Sequence, residues 1–192
     1  MSKEAKTEYL EELDMVLEPH GFSRRRNQQA WKHRVDSANE CWLHVNFGLS
    51  VVNPSIGVNY LDFSQLLPEE SGSVTGTMIM LSSLLKRPPL YTIESGSLPV
   101  ARDLCKKGLP MLSNLRDRLF VIEALKSKLP FDWPVVSYSH RIRLLPLLLA
   151  SDGQMSEALH LLELFLSESL GKDQILPLYE VFARTFRKRF AT

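Results

Sequence analysis

The chain has 192 residues, 44% hydrophobic and 23% charged, which excludes a disordered, collagenous or disulfide-scaffold protein and leaves an ordinary globular one. Twenty-three basic against twenty-two acidic residues give a formal net charge of +1, so no overall charge draws the chain to nucleic acid or anionic lipid, and electrostatic function has to come from local patches. The longest apolar run, residues 144–150, is far too short to span a bilayer, and residues 1–15 are acidic and amphipathic without a signal-peptide core. With only two cysteines, Cys41 and Cys105, a reducing cytoplasmic location is expected.

Residues 3–18 place Tyr9, Leu10, Leu13, Val16 and Leu17 at helical spacing, and Pro19-His20-Gly21 stops the helix. Residues 30–35 read as a strand, with Trp31, His33 and Val35 on one side and Lys32 and Arg34 on the other. A polar connection, residues 36–40, leads into the longest alternating run of the chain, residues 41–52. That run sets Leu43, Val45, Phe47, Leu49 and Val51 against Trp42, His44, Asn46, Gly48 and Ser50. A symmetric hairpin pairs Val35 with Cys41, His33 with Leu43 and Trp31 with Val45. Val52-Asn53-Pro54-Ser55 has turn composition, and a third strand with Ile56, Val58 and Tyr60 then pairs Val51 with Ile56, Leu49 with Val58 and Phe47 with Tyr60. Residues 68–72 read as a loop, residues 77–87 as a short helix stopped by Pro88-Pro89, and residues 90–94 as a fourth, edge strand.

From Leu98 onward the period is helical: residues 100–107 ending at Gly108, residues 110–128, an interruption at residues 130–134, and helices over 139–150, 155–170 and 174–190. The fold class expected is α+β: an N-terminal helix, a three- to four-stranded antiparallel meander and a C-terminal helical bundle. Residues 1–96 form the helix and sheet, and residues 97–192 a helical region packed on them as one compact unit.

Chemistry-bearing constellations are sparse. Cys41 and His44, with His33 on the neighbouring strand and Cys105 elsewhere, come nearest to a metal site, but period two sends Cys41 and His44 to opposite faces, so neither a metal nor a cofactor is expected. Ser139-His140 are neighbours on a helix and point apart, there is no G-x-S-x-G elbow, and Asp62, Asp117 and Glu123 have no spacing of an acid–base pair. Residues 72–76 carry glycine without the lysine of a phosphate-binding loop. No catalytic residue is therefore assigned, and the protein reads as a non-enzyme.

Two basic clusters remain. Arg24-Arg25-Arg26 with Lys32 and Arg34, beside Trp31 or Trp42 as a stacking platform, could serve an RNA-binding module. Arg184, Arg187, Lys188 and Arg189 close the last helix, where cations complement the helix dipole. The second face of the meander, with Lys32, Arg34, Trp42, His44, Asn46 and Asn59, has the composition of a protein interface: an aromatic centre and a polar rim. These six are the candidate partner-binding residues, unless the helical tail covers the face internally.

The order of an amphipathic helix, a Pro-His-Gly-Phe turn, Trp31-Lys32-His33-Arg34, the strand from Trp42 to Phe47 and Ile56-Gly57-Val58 resembles a bacterial domain-of-unknown-function family. Families of this build include immunity proteins of toxin–immunity systems. The likeness extends over the first two thirds of the chain and carries no catalytic motif onto it. It implies a cytoplasmic immunity protein that binds a cognate toxin or effector protein directly and occludes its active site. An RNA-binding module and an unrecognised enzyme are the alternatives.

Overall fold

The computed structural model describes residues 2–26, 28–49, 51–63, 75–85, 90–127, 137–169 and 176–190. The expected loops at residues 68–72 and 130–134, the prolines Pro88-Pro89 and the link at residues 171–173 lie outside them. The protein is α+β, with an N-terminal helix, a five-stranded antiparallel sheet and C-terminal helices. The chain divides into two compact units, Met1–Asn59 with Thr77–Arg116, and Tyr60–Gly76 with Asp117–Thr192.

In the first unit, helix α1 (Lys3–Leu17) is N-capped by Ser2, whose hydroxyl accepts the Ala5 N–H. A 3-10 turn, Glu18–His20, ends on Gly21 at φ +81°. A side chain at Gly21 would strike the His33 ring, so the turn needs glycine for space as well as for its left-handed backbone. Strands β1 (Ser23–Arg24), β2 (Ala30–Arg34), β3 (Asn39–Phe47), β4 (Val52–Tyr60) and β5 (Ile79–Met80) lie side by side in chain order.

The hairpin register differs from the symmetric one. Trp31 pairs with Leu43 and His33 with Cys41, because the connection curls up as an Asx turn. The Asp36 carboxylate accepts the N–H groups of Ala38 and Asn39, and the Asn39 carbonyl accepts from Val35, so Val35 is tied to Asn39 instead of Cys41. A shift of two residues leaves every side chain on its expected face, whereas a shift of one would have inverted them all.

The second turn is also displaced. It falls at Gly48, whose N–H donates to the Val51 carbonyl, and Val52-Asn53-Pro54-Ser55 lies within β4. Leu49 is therefore fully exposed at the hairpin tip, and neither it nor Val51 pairs with Ile56 or Val58. Pro54 is accommodated because its nitrogen points away from β3. It falls between Val52, whose N–H reaches the Tyr91 carbonyl, and Ser55, where pairing with β5 begins.

Of the helix expected over residues 77–87, the described residues 77–85 form none, nor do residues 90–94 form an edge strand. Ile79–Met80 takes the edge beside Ser55 and Ile56, and Leu81–Leu84 forms a 3-10 turn. Thr77 commits this segment to the sheet: its hydroxyl accepts the Val58 N–H and its own N–H donates to the Val58 carbonyl.

Leu13, Leu17, Trp31, Leu43, Val45, Ile56, Val58, Leu81, Val100 and Leu104 are buried in this unit. Helix α2 (Leu98–Asp103) runs through a π-helical turn, Leu104–Gly108, into α3 (Leu109–Arg116), so Gly108 does not end the helix. Pro110 follows that turn, whose wider winding takes up the strain of a proline that cannot donate to the helical ladder.

The second unit holds α4 (Arg118–Lys126), α5 (Tyr138–Ser151), α6 (Met155–Ser169) and α7 (Leu176–Phe190). Asp117 breaks the expected continuous helix by capping α4 through its carboxylate. Arg118 lies 5.2 and 5.3 Å from the ring centres of Tyr60 and Phe63 and bonds Asp62 at 2.6 Å. His140 on α5 donates its Nε2–H to the Gly76 carbonyl at 2.6 Å.

Two outcomes follow from this packing. A Cβ added at Gly57 would sit 2.0 Å from the Thr77 carbonyl and 2.5 Å from the Trp42 ring, so Gly57→Ala should lower the unfolding free energy by about 2–3 kcal/mol in urea titrations. Desolvation, seconded by the charge of Arg143, holds the His140 pKa below its ordinary value. A depressed folded-state pKa gives stability that is complete above the unfolded value of about 6.5 and lost as pH falls through the folded value. Melting at about pH 7.5 and about pH 5 should thus show a smaller acid loss for His140→Gln, which keeps a donor and does not titrate, than for the parent.

Candidate partner-binding face

Period two in β2 and β3 turns Lys32, Arg34, Trp42, His44 and Asn46 away from the buried face, and β4 adds Asn59. Lys32 stands opposite Trp42, Arg34 opposite Glu40 and Ala30 opposite His44. None of the six candidates is buried: Lys32, Arg34 and Asn46 are exposed, and Trp42, His44 and Asn59 half-buried. The structure thus brings the candidates together on one face that stays open to solvent in whole or in part.

Three constraints order the face. The Trp42 indole lies against Gly57, where the missing side chain leaves room for it. The Glu40 carboxylate accepts from the Lys32 ammonium at 2.8 Å and from the Asn59 amide at 3.1 Å. Burial pushes the Glu40 pKa up, but these two donors outweigh it and the pKa falls below the ordinary value. Desolvation lowers the His44 pKa, so this imidazole is neutral at physiological pH. The face therefore presents an aromatic ring, a neutral imidazole and amides beside cations.

The arginine triplet separates into two roles. Arg24 makes a two-pronged bond to Asp14 of α1, at 2.9 and 2.5 Å, and its side chain is only 6% exposed. Trp31 Nε1–H donates to the same carboxylate at 2.7 Å, and the Arg24 guanidinium lies 5.4 Å from the Trp31 ring centre. Arg24 and Trp31 are thus part of the joint between helix and sheet, and neither is free to stack a base, while Arg25 and Arg26 are exposed.

In the second unit, Arg187 is held by Glu163 at 2.7 and 2.6 Å. Cys41 is buried on the core face with its thiol pushed up to about 11 by desolvation, and His44 lies on the other face. Among the described residues no three His, Cys, Asp or Glu side chains converge as a metal ion requires. Cys105, half-buried, has its Sγ 3.9 Å from His20 Nε2. Asp62 and Asp117, carboxylates weighed for acid–base work, are engaged by Arg118 and by the α4 amides.

Sequence reasoning missed Ser23 and Gln28, which with Arg25 of the basic triplet, Ala30 and Lys32 line a cleft of about 290 Å³ beside β2. The signal was faint: β1 is two residues long, and only the alternation of Phe22 and Arg24 with Ser23 and Arg25 marks it. Among the described residues no helix is long and apolar enough to cross a membrane. Comparison with protein-family models, with curated proteins and with solved structures finds no match to the chain.

The split within the arginine triplet has a measurable consequence. Asp14→Ala strands a nearly buried guanidinium and the Trp31 N–H, and should cost at least about 2 kcal/mol of unfolding free energy. Arg25→Ala and Arg26→Ala should each change it by less than about 0.5 kcal/mol. Similar losses for Asp14→Ala and Arg25→Ala in chemical denaturation would contradict the division of roles.

Proposed function

We propose that this is a non-enzymatic cytoplasmic binding protein, and that it acts as an immunity protein, neutralising a cognate bacterial toxin by covering it with the outward face of the sheet. The observation that supports this most is the half-buried Trp42, fixed against Gly57 at the centre of a face whose rim is polar and exposed. A rigid aromatic ring loses little entropy when a partner covers it, and such rings at the centre of a polar-rimmed patch supply much of the energy in protein interfaces. The resemblance drawn from the N-terminal helix, Trp31-Lys32-His33-Arg34 and Ile56-Gly57-Val58 points the same way.

Co-expression with the product of the adjacent gene tests the reading. A complex should co-purify, and the partner's toxicity should be relieved. Trp42→Ala should weaken the complex by about 2 kcal/mol or more, near thirtyfold. Asn46→Arg, at an exposed position, should weaken it while leaving the melting temperature unchanged. A neighbouring toxin that is neither bound nor neutralised, or one bound equally by parent and both variants, would sink the proposal.

A further inference from the structure

The cleft beside β2 narrows the kind of partner that the proposed docking face would take, an inference that rests on the reading above. Its walls are Ser23, Gln28, Arg25 and Lys32, with the small Ala30 between them. Arg24 also borders it, but its guanidinium is turned to Asp14, and the Lys32 ammonium is held by Glu40 at 2.8 Å, so Arg25 is the cation left to the cleft. Lys32 shares Glu40 with Asn59 and keeps a side chain 57% exposed, and Arg34 follows it on the same face of β2.

Across the outward positions of β1 to β4, Glu40 is the one carboxylate among the described residues, against Lys32 and Arg34 on β2 and Arg25 just beyond β1. The imbalance is local, because the whole chain carries a net charge of only +1. We infer that the cleft receives a carboxylate side chain of a protein partner, so that the partner's contact segment is acidic and sets an apolar or aromatic group on Trp42 beside it.

Geometry and charge support this together. A volume of about 290 Å³ suits a few side chains better than a polymer, and Arg25 offers the planar fork of donors that a carboxylate matches in two bonds. Lys32 stands directly opposite Trp42 on β3, so an acidic residue in the cleft places its neighbour over the indole. A nucleic-acid strand would need cations continuing along a track, whereas here the positive residues end at Arg34 and Glu40 faces it.

Defined probes test the inference. A synthetic peptide alternating Glu and Trp, a second alternating Lys and Trp, and a short oligouridylate are titrated against the full chain, the Arg25→Glu variant and the Arg26→Glu variant. Arg26 carries the same charge change at a position that does not line this cleft. The Glu–Trp peptide should bind the parent and Arg26→Glu alike, lose at least about tenfold in affinity with Arg25→Glu, and weaken as salt rises. The Lys–Trp peptide and the oligouridylate should bind at least about tenfold more weakly than the Glu–Trp peptide.

No binding of the Glu–Trp peptide, equal losses from Arg25→Glu and Arg26→Glu, or preference for the oligouridylate would overturn the inference. Its failure is separable from that of the docking reading. If the adjacent-gene product binds and Asn46→Arg disrupts the complex, while Arg25→Glu and raised salt do not, the face docks a partner that is not acidic.

Discussion

The close approach at Gly57 is the constraint on which the arrangement of the sheet's outward side depends. No side chain separates this backbone from the Thr77 carbonyl or from the Trp42 indole. Two consequences follow from one absent Cβ. Thr77 comes near enough for its hydroxyl and amide to bond Val58, which brings Ile79 and Met80 onto the sheet edge. Trp42 comes to rest on the backbone of β4, half-buried and held in one orientation, instead of standing free in water. A tryptophan immobilised by its own fold has little left to lose on binding, which makes it a better anchor than a mobile one.

On the buried side the corresponding joint is Asp14, whose carboxylate holds both Arg24 and the Trp31 indole N–H. This fixes α1 against β1 and β2 and removes one arginine of a conspicuous basic triplet from any recognition role. The two sides are coupled through strand parity. Arg24 pairs with Trp31 facing inward, so Ser23 stands opposite Lys32 facing outward, with Arg25 beside it in the cleft. The same geometry that turns Arg24 inward leaves Arg25 exposed at the cleft.

Much of this was legible in the residues. Alternation from Cys41 to Phe47 and from Ala30 to Arg34 placed each side chain on its correct face, and the faces survived a two-residue error in register because side-chain direction repeats every two residues. Leu49 was misplaced because Pro54 looked like turn chemistry. Proline is compatible with a strand where its nitrogen faces an unpaired stretch, and only the position of β5 reveals that stretch. The same blindness to long-range pairing turned Ile79–Met80 into a helix, since the bonds that decide it run from Thr77 to Val58, far away in sequence. Gly108 and Asp117 exchanged roles for a related reason. A buried glycine beside Leu104 continues a helix through a π-helical turn, and an aspartate whose carboxylate can cap starts a new one. The six candidate residues came together because all lie on strands whose faces were read correctly. Arg25 follows a strand of two residues, too short to show a period, so only its charge groups it with Lys32 and Arg34.

The proposed protein partner would cover the outward face around Trp42. The most direct test is site-specific photo-crosslinking, with a photoreactive residue placed at position 46 in one variant and at position 184, in the last helix, in another. A covalent adduct with the neighbouring gene's product is expected from position 46 and none from position 184. An adduct from position 184 alone would place the interface on the helical unit and contradict the proposal.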